Sequence, residues 1–182
     1  MTMTYIIYTL IILTLIFIYE YNKLIRLNQQ VNEGWSGIDV QLKRRRDLIP
    51  ELVKIAAFYA KHEKDTFSRV AELRSTAAQA PDIETLATAE TEISTGLQKI
   101  FAIAEAYPEL KSDSQFVKLQ ENLATVEKDL SYVRRYYNAA VRNYNVAIFM
   151  FPELIVANAM GYKEKAFFEI SASERENVKI DI

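Results

Sequence analysis

The first charged side chain in this chain is Glu20, and from Tyr5 to Tyr19 (YIIYTLIILTLIFIY) only Thr9 and Thr14 interrupt an apolar run. A helix over residues 1–19 rises roughly 28 Å at 1.5 Å per residue, close to the ~30 Å hydrocarbon core of a bilayer. A cleaved secretory signal would carry a basic leading region and a small-residue cleavage site after the apolar block. Neither is present, and the helix-compatible EYNKLIRLNQQV follows, with Tyr19 and Tyr21 at the depth where aromatic rings favour the headgroup layer. A buried core helix would need cover on every face, for which a chain of 182 residues has no room. Residues 1–19 are therefore expected to be a single transmembrane anchor. Lys23 and Arg26 follow it closely and no basic side chain precedes it. The positive-inside tendency then puts the rest of the chain on the cytoplasmic side of the cell (inner) membrane. The lack of cysteine fits that compartment.

Beyond the anchor, the remaining length suits one domain, expected over residues 20–170, with a polar tail over 171–182. A net charge of −2 from 22 basic and 24 acidic side chains gives no field that would gather nucleic acid, and no basic stripe interleaved with aromatics replaces it. Four glycines and four prolines leave little from which to build hairpins, so the domain is expected to be nearly all helix.

Apolar side chains at alternating spacings of three and four define the helices. Leu24, Asn28, Val31, Trp35, Ile38 and Leu42 form a seam continuous with the anchor, predicting a first helix to about Arg46. Asp47 reads as an N-cap and Pro50 falls in a first turn, which predicts a second helix over about 48–79. The alternative is that Pro50 only kinks one long helix. Pro81 and Asp82 punctuate, and Ile83, Leu86, Ile93, Leu97, Ile100 and Ala104 define a third helix ending before Pro108. Ser112 and Gln115 read as a capping box for a fourth helix, whose seam runs Phe116, Leu119, Leu123, Val126, Leu130, Val133, Tyr137, Ala140, Tyr144, Ala147 and Phe151. Such regularity signals coiled-coil-like packing, and short loops make neighbours antiparallel. The predicted fold is all-α: a transmembrane helix continuing into an antiparallel up-down four-helix bundle, or a three-helix one if Pro50 is a kink.

Three blocks, VNEGWSGIDVQLKRRRDLIPELVKIAAFYAKHEKDTF (Val31 to Phe67), AIAEAYPELKSDSQFVKLQENL (Ala102 to Leu123) and RRYYNAAVRNYNVAIFMFP (Arg134 to Pro152), closely resemble the LemA family. The resemblance implies an N-terminal single-span membrane protein with a helical-bundle domain and no assigned enzymatic activity. It also implies relatives involved in forming magnetosome membranes, and members often encoded near membrane metallopeptidases. Two positions depart from the family pattern: Asn143 stands where an acidic residue usually precedes the Tyr144–Asn145 pair, and Gly34 replaces a commoner alanine.

No residue set for catalysis, a cofactor or a metal emerges. A di-metal carboxylate centre needs two Glu-x-x-His motifs, whereas this chain has one histidine, His62, with Tyr59 three before it. His62, beside Glu63 and Asp65, reads as a solvated helix residue rather than a pH-responsive group. No cysteine, glycine-rich phosphate loop or Gly-x-Ser-x-Gly elbow occurs. Lys43, Arg44, Arg45 and Arg46 lie roughly 37 Å beyond the anchor on a straight helix, too far for the surface potential of acidic lipids. They either complement the negative end of the first helix or form a docking patch for a partner's acidic surface.

The apolar stretch IFMFPELIVANAMGY, Ile148 to Tyr162, is too short and broken to span. In an even-numbered bundle it returns to the membrane, so Phe149, Phe151, Leu154, Ile155 and Met160 are candidates for insertion beneath the headgroups, the rival being a flap over the bundle's end. Trp35, Tyr59, Tyr137 and Tyr144 lie on seams and are expected at the core or its edge, their polar ends seeking a partner such as Asn28 or Asn145. These features point to a non-enzymatic, membrane-anchored scaffold or adaptor that organises partners, among them a possible membrane metallopeptidase, or copies of itself as a homo-oligomer. The alternative is a sensor or regulatory subunit of a membrane protease.

Overall fold

Pro50 does not end a helix. The computed structural model describes residues 2–168, and α1 runs unbroken from Thr2–Tyr59 through the proline. Proline in a helix interior removes the N–H that would bond the carbonyl four residues back and costs about 3 kcal/mol or more. Here the freed carbonyl, that of Arg46, accepts from Arg74 Nε at 2.8 Å, and the flanking Ile49 and Leu52 are buried. Asp47 is thus an exposed mid-helix residue rather than an N-cap, and the first turn lies at residues 60–63. His62 sits exposed in that turn, not in a helix.

The remaining helices among the described residues are α2 (Lys64–Ala78), α3 (Ile83–Ala106), α4 (Pro108–Lys111), α5 (Ser114–Phe149) and α6 (Glu153–Met160), and those residues contain no strand. Asp82 caps α3 by accepting from the Thr85 N–H at 2.8 Å. The capping box expected from Ser112 and Gln115 is not formed. Asp113 caps α5 instead, its carboxylate accepting from the N–H groups of Gln115 and Phe116, both at 2.9 Å, while the Ser112 hydroxyl donates to the Glu109 carbonyl. The α5 seam is buried from Phe116 to Ala147 apart from a half-buried Val133; because the helix stops at Phe149, Phe151 leaves the seam and is 79% exposed.

The described residues form two compact units, and α1 and α5 contribute to both. One unit contains Asp39–Tyr132. Its apolar cluster draws Ile49, Leu52 and Ala56 from α1, Phe67 and Val70 from α2, Ile93, Leu97 and Ile100 from α3, and Phe116, Leu119 and Leu123 from α5. Arg45 is paired with Glu127 and Tyr59 with Asp113, so α1 and α5 are antiparallel there. Gly96 lets α2 and α3 approach: a Cβ on it would lie 2.5 Å from Val70 Cγ2.

The other unit contains α1 up to Ile38 and Val133–Phe167. Here too α1 and α5 are antiparallel, Gly34 lying against Tyr137 and Lys23 against Glu153. A Cβ on Gly34 would lie 2.9 Å from the Tyr137 Cα, backbone that cannot step aside, whereas one on Gly37 would meet Val133 Cγ1 at an ordinary 3.4 Å. The glycine that departs from the family pattern is therefore the one that sets the helix separation. Alanine gains about 1 kcal/mol over glycine in a helix interior, and forced overpacking costs about 1–3 kcal/mol. Gly37→Ala is expected to raise the thermal midpoint slightly and Gly34→Ala to lower it; equal shifts of one sign would contradict the close approach. The tail expected over 171–182 lies outside the described residues.

Candidate membrane interface

α1 begins with a stretch long and apolar enough to cross a membrane, none of it buried. Its two hydroxyls are satisfied inside the helix, Thr9 donating to the Tyr5 carbonyl at 2.9 Å and Thr14 to that of Leu10 at 2.8 Å, as a hydrocarbon setting demands. One turn past Tyr19 the surroundings change. Lys23 pairs with Glu153, the first residue of α6, and lies 3.8 Å from Glu20. Both carboxylates belong to buried residues. The hydrogen bond from Lys23 holds the Glu153 carboxyl below its ordinary pKa, and the same bond raises that of Lys23.

This pair fixes the elbow between α5 and α6 alongside α1, at about 6 Å along the axis from Tyr19. The elbow leaves part of the apolar segment buried and part of it exposed. Ile148, Val156 and Ala157 are buried, while Phe149, Met150, Phe151, Ile155 and Met160 are exposed and Leu154 is half-buried. Four of the five candidate insertion residues are thus exposed. Gly161, with φ 70°, ends α6 and turns the chain back.

Residues 162–167 then run in a strap beside α5. Asn145 brackets Lys165 with both halves of its amide, Nδ2 donating to the Lys165 carbonyl at 2.8 Å and Oδ1 accepting its N–H at 2.9 Å. The Tyr144 hydroxyl donates to the carbonyl of Lys163 and the Tyr137 hydroxyl to that of Ala166. The partners of these two seam tyrosines are therefore strap carbonyls rather than Asn28 or Asn145, that of Tyr59 being Asp113, and burial raises the phenol pKa values of Tyr137 and Tyr144. Lys165 turns its ammonium over the Tyr144 ring, 5.3 Å from the centroid.

In the other unit, the four-cation run does not form one patch. Lys43 and Arg44 are exposed, and Arg46 is half-buried with Asp39 at 3.8 Å. Arg45 is 0% exposed, so it is no docking residue. Its guanidinium donates from Nη1 to Glu90 Oε2 at 2.8 Å and to the Glu90 carbonyl at 3.2 Å, and from Nη2 to Ser94 Oγ at 2.7 Å; Glu127 Oε1 lies 2.5 Å from Nη2. The reading of these cations as the last turn of a helix also fails, since α1 continues to Tyr59. Sequence reasoning missed Glu90, Glu127 and Ser94 as the partners of Arg45. Beside the Tyr59–Asp113 bond lies an open groove of about 700 Å³, lined among others by Leu48, Ile55, Phe58, Lys118 and Leu119. The backbone N–H of Phe116 is the main cause lowering the Asp113 pKa, and the hydrogen bond to Asp113 raises that of Tyr59.

The LemA family model matches residues 34–182. The chain belongs to the LemA family. It is 25% identical over 164 residues to Protein LemA of Metamycoplasma hominis, covering 88% of this chain and 73% of that protein. It is also 23% identical over 176 residues to Magnetosome protein MamQ 2 of Paramagnetospirillum magneticum, and 24% identical over 175 residues to Magnetosome protein MamQ of Magnetospirillum gryphiswaldense. Those two alignments each cover 82% of this chain, which spans 65% and 64% of the magnetosome proteins' own lengths. The family match takes in the α1–α5 contact at Gly34, the Arg45 cluster and the strap, but not the apolar start of α1.

Proposed function

We propose that this LemA-family chain is a membrane-anchored, non-enzymatic helical adaptor: α1 is held in the cell (inner) membrane by residues 1–19, and the α5–α6 elbow rests in the adjoining headgroup layer. The observation that carries the reading is the Lys23–Glu153 pair, which joins an uncovered apolar elbow to α1 one turn beyond its apolar stretch. Burying about 20–30 cal/mol per Å² of apolar surface favours insertion of Phe149, Phe151, Ile155 and Met160 wherever lipid is within reach. The resemblance to proteins named for magnetosomes agrees with a role at a membrane. Lys23 and Arg26 beyond the span favour a cytoplasmic folded part, which would organise partners or copies of itself confined to two dimensions.

The full chain is expected to resist carbonate extraction, and a variant lacking residues 1–19 to lose that resistance yet still float with liposomes. If the truncated variant is folded by circular dichroism and shows no flotation, the elbow does not insert. Cross-linking in membranes is expected to give a ladder of self-adducts; specific capture of a membrane peptidase without self-adducts would favour the regulatory-subunit reading.

A further inference from the structure

The elbow is bordered by cations whose heights along the helices can be read from the same contacts. Arg26 lies one turn beyond Lys23 on α1, about 4.5 Å further from the apolar stretch. On α5, Arg142, Val146, Phe149 and Met150 are exposed at helical spacings of four and three or four, forming one stripe that changes from basic to apolar toward the elbow. Arg142 stands about 10 Å before Phe149 on that stripe. The Lys163 carbonyl is tied to the Tyr144 hydroxyl, which keeps Lys163 near the level of Tyr144, about 7.5 Å before Phe149. Arg26, Arg142 and Lys163 are exposed, and among the described residues no ion pair engages them. A headgroup layer extends about 5–8 Å beyond the hydrocarbon on each side. With Phe149 at the hydrocarbon boundary, Lys163 stands at the outer edge of that layer and Arg142 just beyond it, and the long side chains of Arg26 and Arg142 can reach back to lipid phosphates.

We infer that the α5–α6 elbow is an anionic-phospholipid site, in which Phe149, Phe151, Ile155 and Met160 enter the acyl region while Arg26, Arg142 and Lys163 hold the headgroup phosphates. The inference rests on the insertion reading above and adds the class of lipid. Magnitude decides how selective the site is. One cation near an anionic surface is worth about fivefold in affinity. Exposed Glu164, and the second carboxylate of the Glu20–Lys23–Glu153 group, offset two of the three charges, leaving a preference of about fivefold.

The test uses the full chain reconstituted in vesicles, with electron paramagnetic resonance of acyl-chain spin-labelled phosphatidylglycerol and phosphatidylcholine to measure how much of each lipid the protein immobilises. Phosphatidylglycerol is expected to be preferred about fivefold, and the preference is expected to fall toward one in 0.5 M salt and in Arg26→Gln/Arg142→Gln/Lys163→Gln. Equal association of the two lipids, or a preference unchanged in the triple variant, overturns the lipid-class assignment. A companion variant, Phe149→Ser/Phe151→Ser/Ile155→Ser, separates the two ideas: it should reduce the immobilised fraction of both lipids. If it leaves both unchanged, the insertion reading itself fails, whereas a drop in both with no phosphatidylglycerol preference in the parent chain removes only the lipid-class assignment.

Discussion

Replacing Arg45 by methionine is expected to destabilise the protein by about 3–5 kcal/mol, the usual effect of removing one member of a fully buried ion pair. The cost comes less from the lost attraction than from what stays behind. Glu90 is 0% exposed, and removing the guanidinium takes away the charge-assisted bond that its carboxylate accepts from Arg45 at a site water does not reach. Glu127 is less affected, since its side chain is 39% exposed and can turn to water. The measurement is the urea midpoint of the helical circular dichroism signal, taken on the full chain in mild detergent. Adding Glu90→Met to Arg45→Met should restore most of the loss, because an apolar pair of similar volume often matches a buried ion pair in stability. A single variant that shifts stability by less than about 1 kcal/mol would mean that Glu90 stays satisfied without Arg45.

The second large effect is expected at Asn145. Alanine there removes two hydrogen bonds and leaves the Lys165 N–H and carbonyl without their partner, a loss of about 2–3 kcal/mol from the docking of residues 162–167. Asn145→Asp keeps an acceptor for the N–H but sets a carboxylate against the Lys165 carbonyl, so it should fail as well. Hydrogen exchange reads the effect locally: the Lys165 amide should exchange roughly thirtyfold faster or more in Asn145→Ala, while amides of α3 keep their protection. Unchanged exchange at Lys165 would show that the two tyrosine hydroxyls hold the strap by themselves.

Much of this architecture is legible in the sequence. The start of α3, the buried stripe of α5 from Phe116 to Ala147 and the apolar opening of α1 all follow from spacing alone, because in each the repeat is uninterrupted. The break expected at Asp47 and Pro50 was not to be found, since the carbonyl that the proline frees is satisfied by Arg74, a residue on another helix whose choice of acceptor no local pattern records. Arg45 is a different lesson. Set among Lys43, Arg44 and Arg46 it reads as a cation of a helix's last turn or of a docking patch, yet Leu42, Arg45, Ile49, Leu52 and Ala56 keep the three-four spacing of the core. Glu90 fills the same kind of gap between Leu86 and Ile93. A charged residue of each sign occupying a core position on two helices was the available sign of a buried pair. The insertion candidates were read from composition and four of them are exposed, whereas nothing in the spacing marks Glu153, which fastens their segment to Lys23. The strap has no periodicity, so only the donors and acceptors of Tyr137, Tyr144 and Asn145 reveal its course.

The Arg46 carbonyl bears on how α2 finds its place. A helix of 15 residues is marginal by itself and could slide along an apolar neighbour at little cost. Pro50 prevents this by cutting a single notch in an otherwise complete backbone ladder, and Arg74 is the tooth that fits it. A residue notorious for breaking helices here acts as a registration mark for a different one. Moving the proline one position along α1 would carry that mark about 100° around the axis and out of the tooth's reach.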